Sequence, residues 1–178
     1  MRRLAIVGLL ASVLAVPAAA AAFGDSSGDG TLVVHSGSAP RSIPVVTLVI
    51  QGTALGHVSS GSDQLDKVVI DDPNNTGDIA ASSTTGAVVP VTRKSVSDTE
   101  TKFVGSDFRF RAAGGVYKIW IYGSGVDVFA VGRGTVVLQG MSDGSADGWY
   151  SVNGGPQRSL PSAPSDMLPI ASSSGANG

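Results

Sequence analysis

The sequence predicts an all-β protein, a single antiparallel sandwich or barrel of about ten short strands. Three observations carry that expectation. Glycine accounts for 24 of 178 residues, and the glycines recur between short runs of Val, Ile, Thr and aromatic residues, as turns between strands do. The acidic residues are Asp with one exception, Glu100; Asp favours turns and caps, whereas Glu favours helix interiors. Beyond the N-terminal segment, no window holds a 3.6-residue apolar period.

The N-terminus sets the expected compartment. Arg2 and Arg3 precede an apolar run from Leu4 to Val16, then Pro17 and an alanine stretch ending at Ala22. This is the pattern of a secretory signal peptide, with an apolar region too short to span a bilayer. Residues 1–22 are therefore read as a signal helix, the one helix expected. Cleavage near Ala22 would leave a secreted, extracellular chain beginning at Phe23. The residues around the arginine pair lack the rest of a twin-arginine motif, so ordinary Sec export is expected. No later segment is apolar enough to cross a membrane as a helix. The sequence holds no cysteine, so stability is expected from the core alone, without disulfides.

Residues 23–30 (FGDSSGDG) read as a flexible leader, 31–155 as the β domain, and 156–178, rich in Pro, Ser, Ala and Gly, as a disordered tail. Within the domain the strand candidates are 31–35, 45–51, 54–59, 66–71, 87–92, 101–112, 115–122, 125–131, 134–139 and 148–152. The stretch DFRFRAAGGVYKIWIY predicts a hairpin turning at Ala113-Gly114, with Phe110 opposite Tyr117 and Arg109 opposite Lys118. That register puts Phe108, Phe110, Tyr117, Ile119 and Ile121 on one face and Asp107, Arg109, Arg111, Lys118, Trp120 and Tyr122 on the other. Gly123-Ser-Gly125 and Gly132-Arg-Gly134 read as two tight turns around the strand between them. An offset of 71 residues lays TLVIQGTALGHVSSG (47–61) over KIWIYGSGVDVFAVG (118–132). A pseudo-duplicated sandwich or barrel would produce this echo, as would chance between two Gly- and Val-rich segments.

The run VGRGTVVLQG (131–140), followed by DGWYSVNGGPQRSLP (147–161), resembles an uncharacterised group of small exported β-rich proteins of high-GC Gram-positive bacteria. DFRFRAAGGVYKIWIYGSGVDV is similar to that group as well, and the likeness spans residues 29–161, weakest over 78–100. The resemblance implies a β-rich exported domain with no known activity, and it brings no catalytic residue to this chain. Independently of it, Asn153-Gly154 is a hairpin-turn signal.

Composition narrows the function. Without Arg2 and Arg3 there remain ten basic against fourteen acidic residues, a poor basis for nucleic-acid binding, which rests on clustered Lys and Arg. The glycines around Ser124 do not form a phosphate cradle, because a β run follows where a helix N-terminus would have to hold the anion. Asp72, Asn74, Thr76 and Asp78 lie near calcium-loop spacing, but Ser83 stands where a bidentate Glu is required, and the same residues make an ordinary turn. The two histidines, His35 and His57, sit in separate strands without a second ligand at metal spacing or a nucleophile motif. No metal or other cofactor is expected. The leading expectation is an exported, non-enzymatic β domain with a structural or binding role at the cell envelope, its partner an envelope polysaccharide or protein. The first alternative is a glycan- or anionic-polymer-binding module using Arg109, Arg111, Lys118, Trp120 and Tyr122. The second is a secreted hydrolase built around His35 or His57.

Overall fold

The structure, a computed structural model, describes residues 28–37, 41–60, 64–141 and 148–171. The expected signal peptide, residues 23–27 of the leader and the last seven residues of the tail lie outside the described residues. The chain is all-β. Its strands are β1 (Gly30–Ser36), β2 (Val46–Ser59), β3 (Asp66–Asp71), β4 (Asp78–Ser83), β5 (Thr92–Ser95), β6 (Glu100–Gly105), β7 (Asp107–Tyr122), β8 (Gly125–Leu138), β9 (Gly148–Val152), β10 (Arg158–Ser159) and β11 (Leu168–Ile170). They form one open antiparallel sheet in the order β10-β9-β1-β8-β2-β7-β3-β6-β5, with β11 added to β8 and β4 to β7.

Three central strands are long: β2 and β8 have 14 residues each and β7 has 16. Their registers require them to bend. Val46 pairs with Ile121 at one end of β2, and Ser59 pairs with Gly125 at the other. Four residue steps separate Ile121 from Gly125, a reach of at most about 14 Å. A straight β2 would hold its ends about 43 Å apart, so the strand must double back.

The crease lies on a row of glycines. Gly30 of β1 pairs with Gly132 of β8, Gly132 with Gly52 of β2, and Gly52 with Gly115 of β7. Gly52 and Gly132 have φ of 152° and 151°, backbone that side chains disfavour. A Cβ on Gly52 would stand 2.2 Å from the Val131 carbonyl oxygen, and one on Gly132 would stand 2.2 Å from that of Gln51. On β7 the bend takes a bulge: β2 shifts register between Gly52 and Thr53, and Gly114, with φ 81°, is the extra residue.

The crease divides the sheet into two facing layers. The first holds β5, β6, β3 and β11 around the N-terminal part of β2 and the C-terminal parts of β7 and β8. The second holds β4, β1, β9 and β10 around the remaining parts. Val68, Ile70, Phe103, Tyr117, Ile119, Leu48, Ile50 and Leu138 fill the interior from the first layer, and Leu32, Val34, Val58, Phe108 and Val128 from the second. Next to the glycines comes a row of alanines, Ala112, Ala54 and Ala130, all fully buried. Only small side chains suit the angle where two layers converge.

Several expectations change. The hairpin at Ala113-Gly114 does not form, since β7 continues through it as one bent strand. A bulge inverts the buried parity between Ala112 and Tyr117, as a two-residue turn would have done. Consequently Arg109 stands opposite His57 and Ser82, not Lys118, whose partners are Val49 and Asp71. Candidate strands 45–51 and 54–59 are one strand, as are 125–131 and 134–139, so Gly132-Arg-Gly134 is part of the crease and not a turn. The echoed segments are not equivalent: residues 47–59 of the first lie within β2, whereas the second holds the end of β7, a turn and the start of β8. Residues 158–159 and 168–170 of the expected tail belong to the sheet, and Leu160 and Ile170 lie in the core. Pro169 sits in β11 at a sheet margin, where a missing donor is tolerated. The Asn153-Gly154 turn forms as expected, both residues having positive φ.

Where β7 turns into β8, fully buried Asp66 ties three segments together. Its Oδ1 accepts from Arg41 Nε at 3.3 Å and its Oδ2 has no hydrogen-bond partner among the described residues, while Arg41 also donates to Ser124 Oγ at 3.0 Å. Burial outweighs the hydrogen bond and charge of Arg41 and raises the carboxyl from 3.8 to about 6.

Two outcomes follow. Replacing Gly52 or Gly132 by Ala adds overlap to backbone strain and should cost at least about 3 kcal/mol in chemical denaturation, whereas Gly114→Asn, with open space around it, should cost about 1 kcal/mol or less. Asp66 favours the fold most when protonated, so its contribution is full below pH 3.8 and declines towards about pH 6, by roughly 3 kcal/mol. Asp66→Asn should flatten the stability profile over that window, and an unchanged decline would show that another group causes it.

Candidate functional site

On the outer face of the second layer, six strands each contribute one residue to a single row. In order across the sheet these are Trp149 (β9), His35 (β1), Asp127 (β8), His57 (β2), Arg109 (β7) and Ser82 (β4), each the pairing partner of the next. The neighbouring row runs Val33, Phe129, Leu55, Arg111 and Ala80. Alternation along each strand turns both rows outward while Val34, Val128 and Phe110 face the core. Together they line an open groove of about 640 Å³, one side polar and the other apolar.

The polar row is internally connected. His35 Nδ1 donates to Asp127 Oδ1 at 2.6 Å, and His57 Nδ1 stands 3.9 Å from Asp127 Oδ2. His57 Nε2 donates to Asp107 Oδ1 at 2.7 Å, and Ser59 Oγ approaches Asp107 Oδ2 at 3.5 Å. Burial raises the Asp107 carboxyl, but hydrogen bonds from Thr84, His57 and Ser59 and the His57 charge outweigh it and leave the group below its usual range. At the groove end the Trp149 and His35 rings lie 6.1 Å apart at 34°, a tilted pair that presents a broad aromatic surface. Arg111 is held by Asp78 at 3.1 Å.

The structure thus divides the residues proposed from sequence. Arg109 and Arg111 belong to this groove. Lys118, Trp120 and Tyr122 lie on the outer face of the other layer, because the crease and bulge separate the two halves of β7. There the Lys118 ammonium sits 4.7 Å from the Trp120 ring centre, and Lys67 sits 3.6 Å from that of Tyr122. His35 and His57 do converge, on a carboxylate that sequence reasoning passed over. Trp149 was missed too, whereas Asp107 was expected on the outward face beside Arg109. Strand alternation alone places His35 and Asp127 outward, but the order β9-β1-β8-β2-β7 that aligns them joins distant segments.

The Asp72 to Asp78 segment is a turn. Buried Asp72 accepts the Gly77 N–H at 2.8 Å through Oδ2, its carbonyl accepts from Asn75 at 2.9 Å, and Asp78 is committed to Arg111. Asn74 and Thr76 line a separate cavity at the crease, beside Gln51 and Arg133. Among the described residues no three histidines or carboxylates are placed to hold a metal ion. Among the described residues no helix is long and apolar enough to cross a membrane, a statement that does not extend to strands.

No protein-family model matches the chain, and neither a curated protein nor a solved structure does.

Because the Asp127 carboxylate is 58 % exposed, its pairs with the histidines add little to stability. Asp127→Asn should shift unfolding by less than about 1 kcal/mol. A larger loss in urea denaturation would mean that the row is a structural brace.

Proposed function

We propose that this chain is an exported, non-enzymatic binding domain whose groove seats a hydroxyl-rich ligand of the sugar class, in keeping with a role at the cell envelope. The observation that carries the reading is the Trp149–His35 pair standing at the end of the Asp127–His57–Arg109 row. Sugar rings present an apolar C–H face and a rim of hydroxyls. An aromatic surface takes the first, while a carboxylate, an imidazole and a guanidinium within one row accept from and donate to the second. The apolar strip of Val33, Phe129 and Leu55 beside them extends the contact, and Leu55 is 38 % exposed.

The open shape of the groove supports binding over hydrolysis. So does the way the imidazoles are used: the short contacts of both histidines go to Asp127 and Asp107, not to a hydroxyl that could act as nucleophile. Secretion rests on the N-terminal sequence pattern.

Calorimetry with a panel of neutral oligosaccharides should find a ligand in the micromolar to millimolar range, and Trp149→Ala should weaken it about 30-fold, the loss of about 2 kcal/mol expected for a stacking anchor. Binding that survives Trp149→Ala unchanged, or a panel that gives no heat at millimolar concentration, would sink the proposal.

A further inference from the structure

The sequence contains four lysines, Lys67, Lys94, Lys102 and Lys118. All four lie on the outer face of the first layer, on the consecutive strands β5, β6, β3 and β7. Lys94 and Lys102 are direct cross-strand partners, an arrangement of like charges that costs stability. Lys67 stands diagonally across from Lys102, since its own partners are Val104 and Tyr122. Burial first, and the charge of Lys102 second, hold the Lys67 ammonium below its ordinary value. None of the four makes an ion pair among the described residues. Lys67 and Lys118 are held instead over the rings of Tyr122 and Trp120, which limits their rotamers and keeps their charge at the surface. A chain with more acidic than basic residues has gathered its lysines on one face, with no ion pair to any of them among the described residues.

We propose that this lysine face is a docking surface for a linear polyanion whose charged groups are phosphates. Ammonium groups act on phosphate as compact point charges without the fork geometry that an arginine imposes. Across β5 to β7 the cluster spans three inter-strand steps, about 14 Å, long enough to meet several charges of one polymer and to gain from their linkage. A chain suits the face better than a broad anionic surface does. Asp71, the partner of both Glu100 and Lys118, and Glu100 itself border the lysines on the same face. A membrane laid flat on the sheet would press against those carboxylates, whereas a polymer can follow the lysines past them. The surface lies on the layer opposite the histidine groove, so neither proposal depends on the other.

The test is titration of the purified protein with labelled long-chain inorganic polyphosphate over a range of salt. Binding should weaken with salt with a log–log slope of about 3, as expected for four screened contacts. The Lys94→Gln/Lys102→Gln double variant should bind at least ten times more weakly, with a slope lower by about 1.5, and melt no lower than the parent because a like-charge pair is gone. Arg158→Gln, on β10 of the other layer, should bind as the parent does. Absence of binding, equal binding by the double variant, or tighter capture by anionic phospholipid vesicles than by polyphosphate would each overturn the proposal. Oligosaccharide binding that persists in the double variant would show that the groove reading stands or falls separately.

Discussion

The fold depends on one close approach. The whole sheet turns where β1, β8, β2 and β7 cross the line of Gly30, Gly132, Gly52 and Gly115, and at Gly52 and Gly132 the backbones of β2 and β8 come too near for any side chain. Because the bend occurs within strands rather than at loops, the hydrogen-bond ladder between β2 and β8 continues across it without a register shift. Two layers are thereby made from one ladder, and few backbone groups lose their partners at the corner. The alanine row beside the glycines and the large side chains farther out follow from the same geometry, since the space between the layers opens with distance from the crease.

The crease also decides which residues can act together. It sends the two ends of β7 to opposite surfaces, so a segment that carries Arg109, Arg111, Lys118, Trp120 and Tyr122 serves two faces and not one. The groove on one face and the lysines on the other are drawn from different combinations of strands. Each face mixes residues from both halves of the chain. The Trp149–His35–Asp127–His57–Arg109 row crosses five strands whose sequence positions range from 35 to 149. The two faces also differ in chemistry. One pairs carboxylates with imidazoles beside an apolar strip, and the other carries unpaired ammonium groups over aromatic rings.

Alternation was legible wherever a strand was regular. Phe108 and Phe110 inside with Arg109 and Arg111 outside, and Ile119 and Ile121 inside with Lys118 outside, are consequences of period-2 geometry that residue type alone reveals. The join between those two runs was not legible. A two-residue turn and a one-residue bulge both invert the phase, and Ala-Ala-Gly-Gly suits either. The segment LPI gave no strand signal within a Pro- and Ser-rich stretch, yet β8 offers it an unpaired edge and the core a place for Ile170. Short strands of this kind are specified by the edge they complete more than by their own composition.

By itself the sequence determined the all-β class, the inward and outward sets along each strand, the Asn153-Gly154 turn and the absence of disulfides, because these depend on residue type and local spacing. Only the tertiary structure decided that Gly52, Gly115 and Gly132 bend strands instead of ending them. Only the tertiary structure brought His35 and His57 to Asp127, and gathered the four lysines away from the arginines of β7. The physical reason is that pairing order in a sheet is set by contacts between distant segments, whereas a glycine in the sequence records only that backbone freedom is needed.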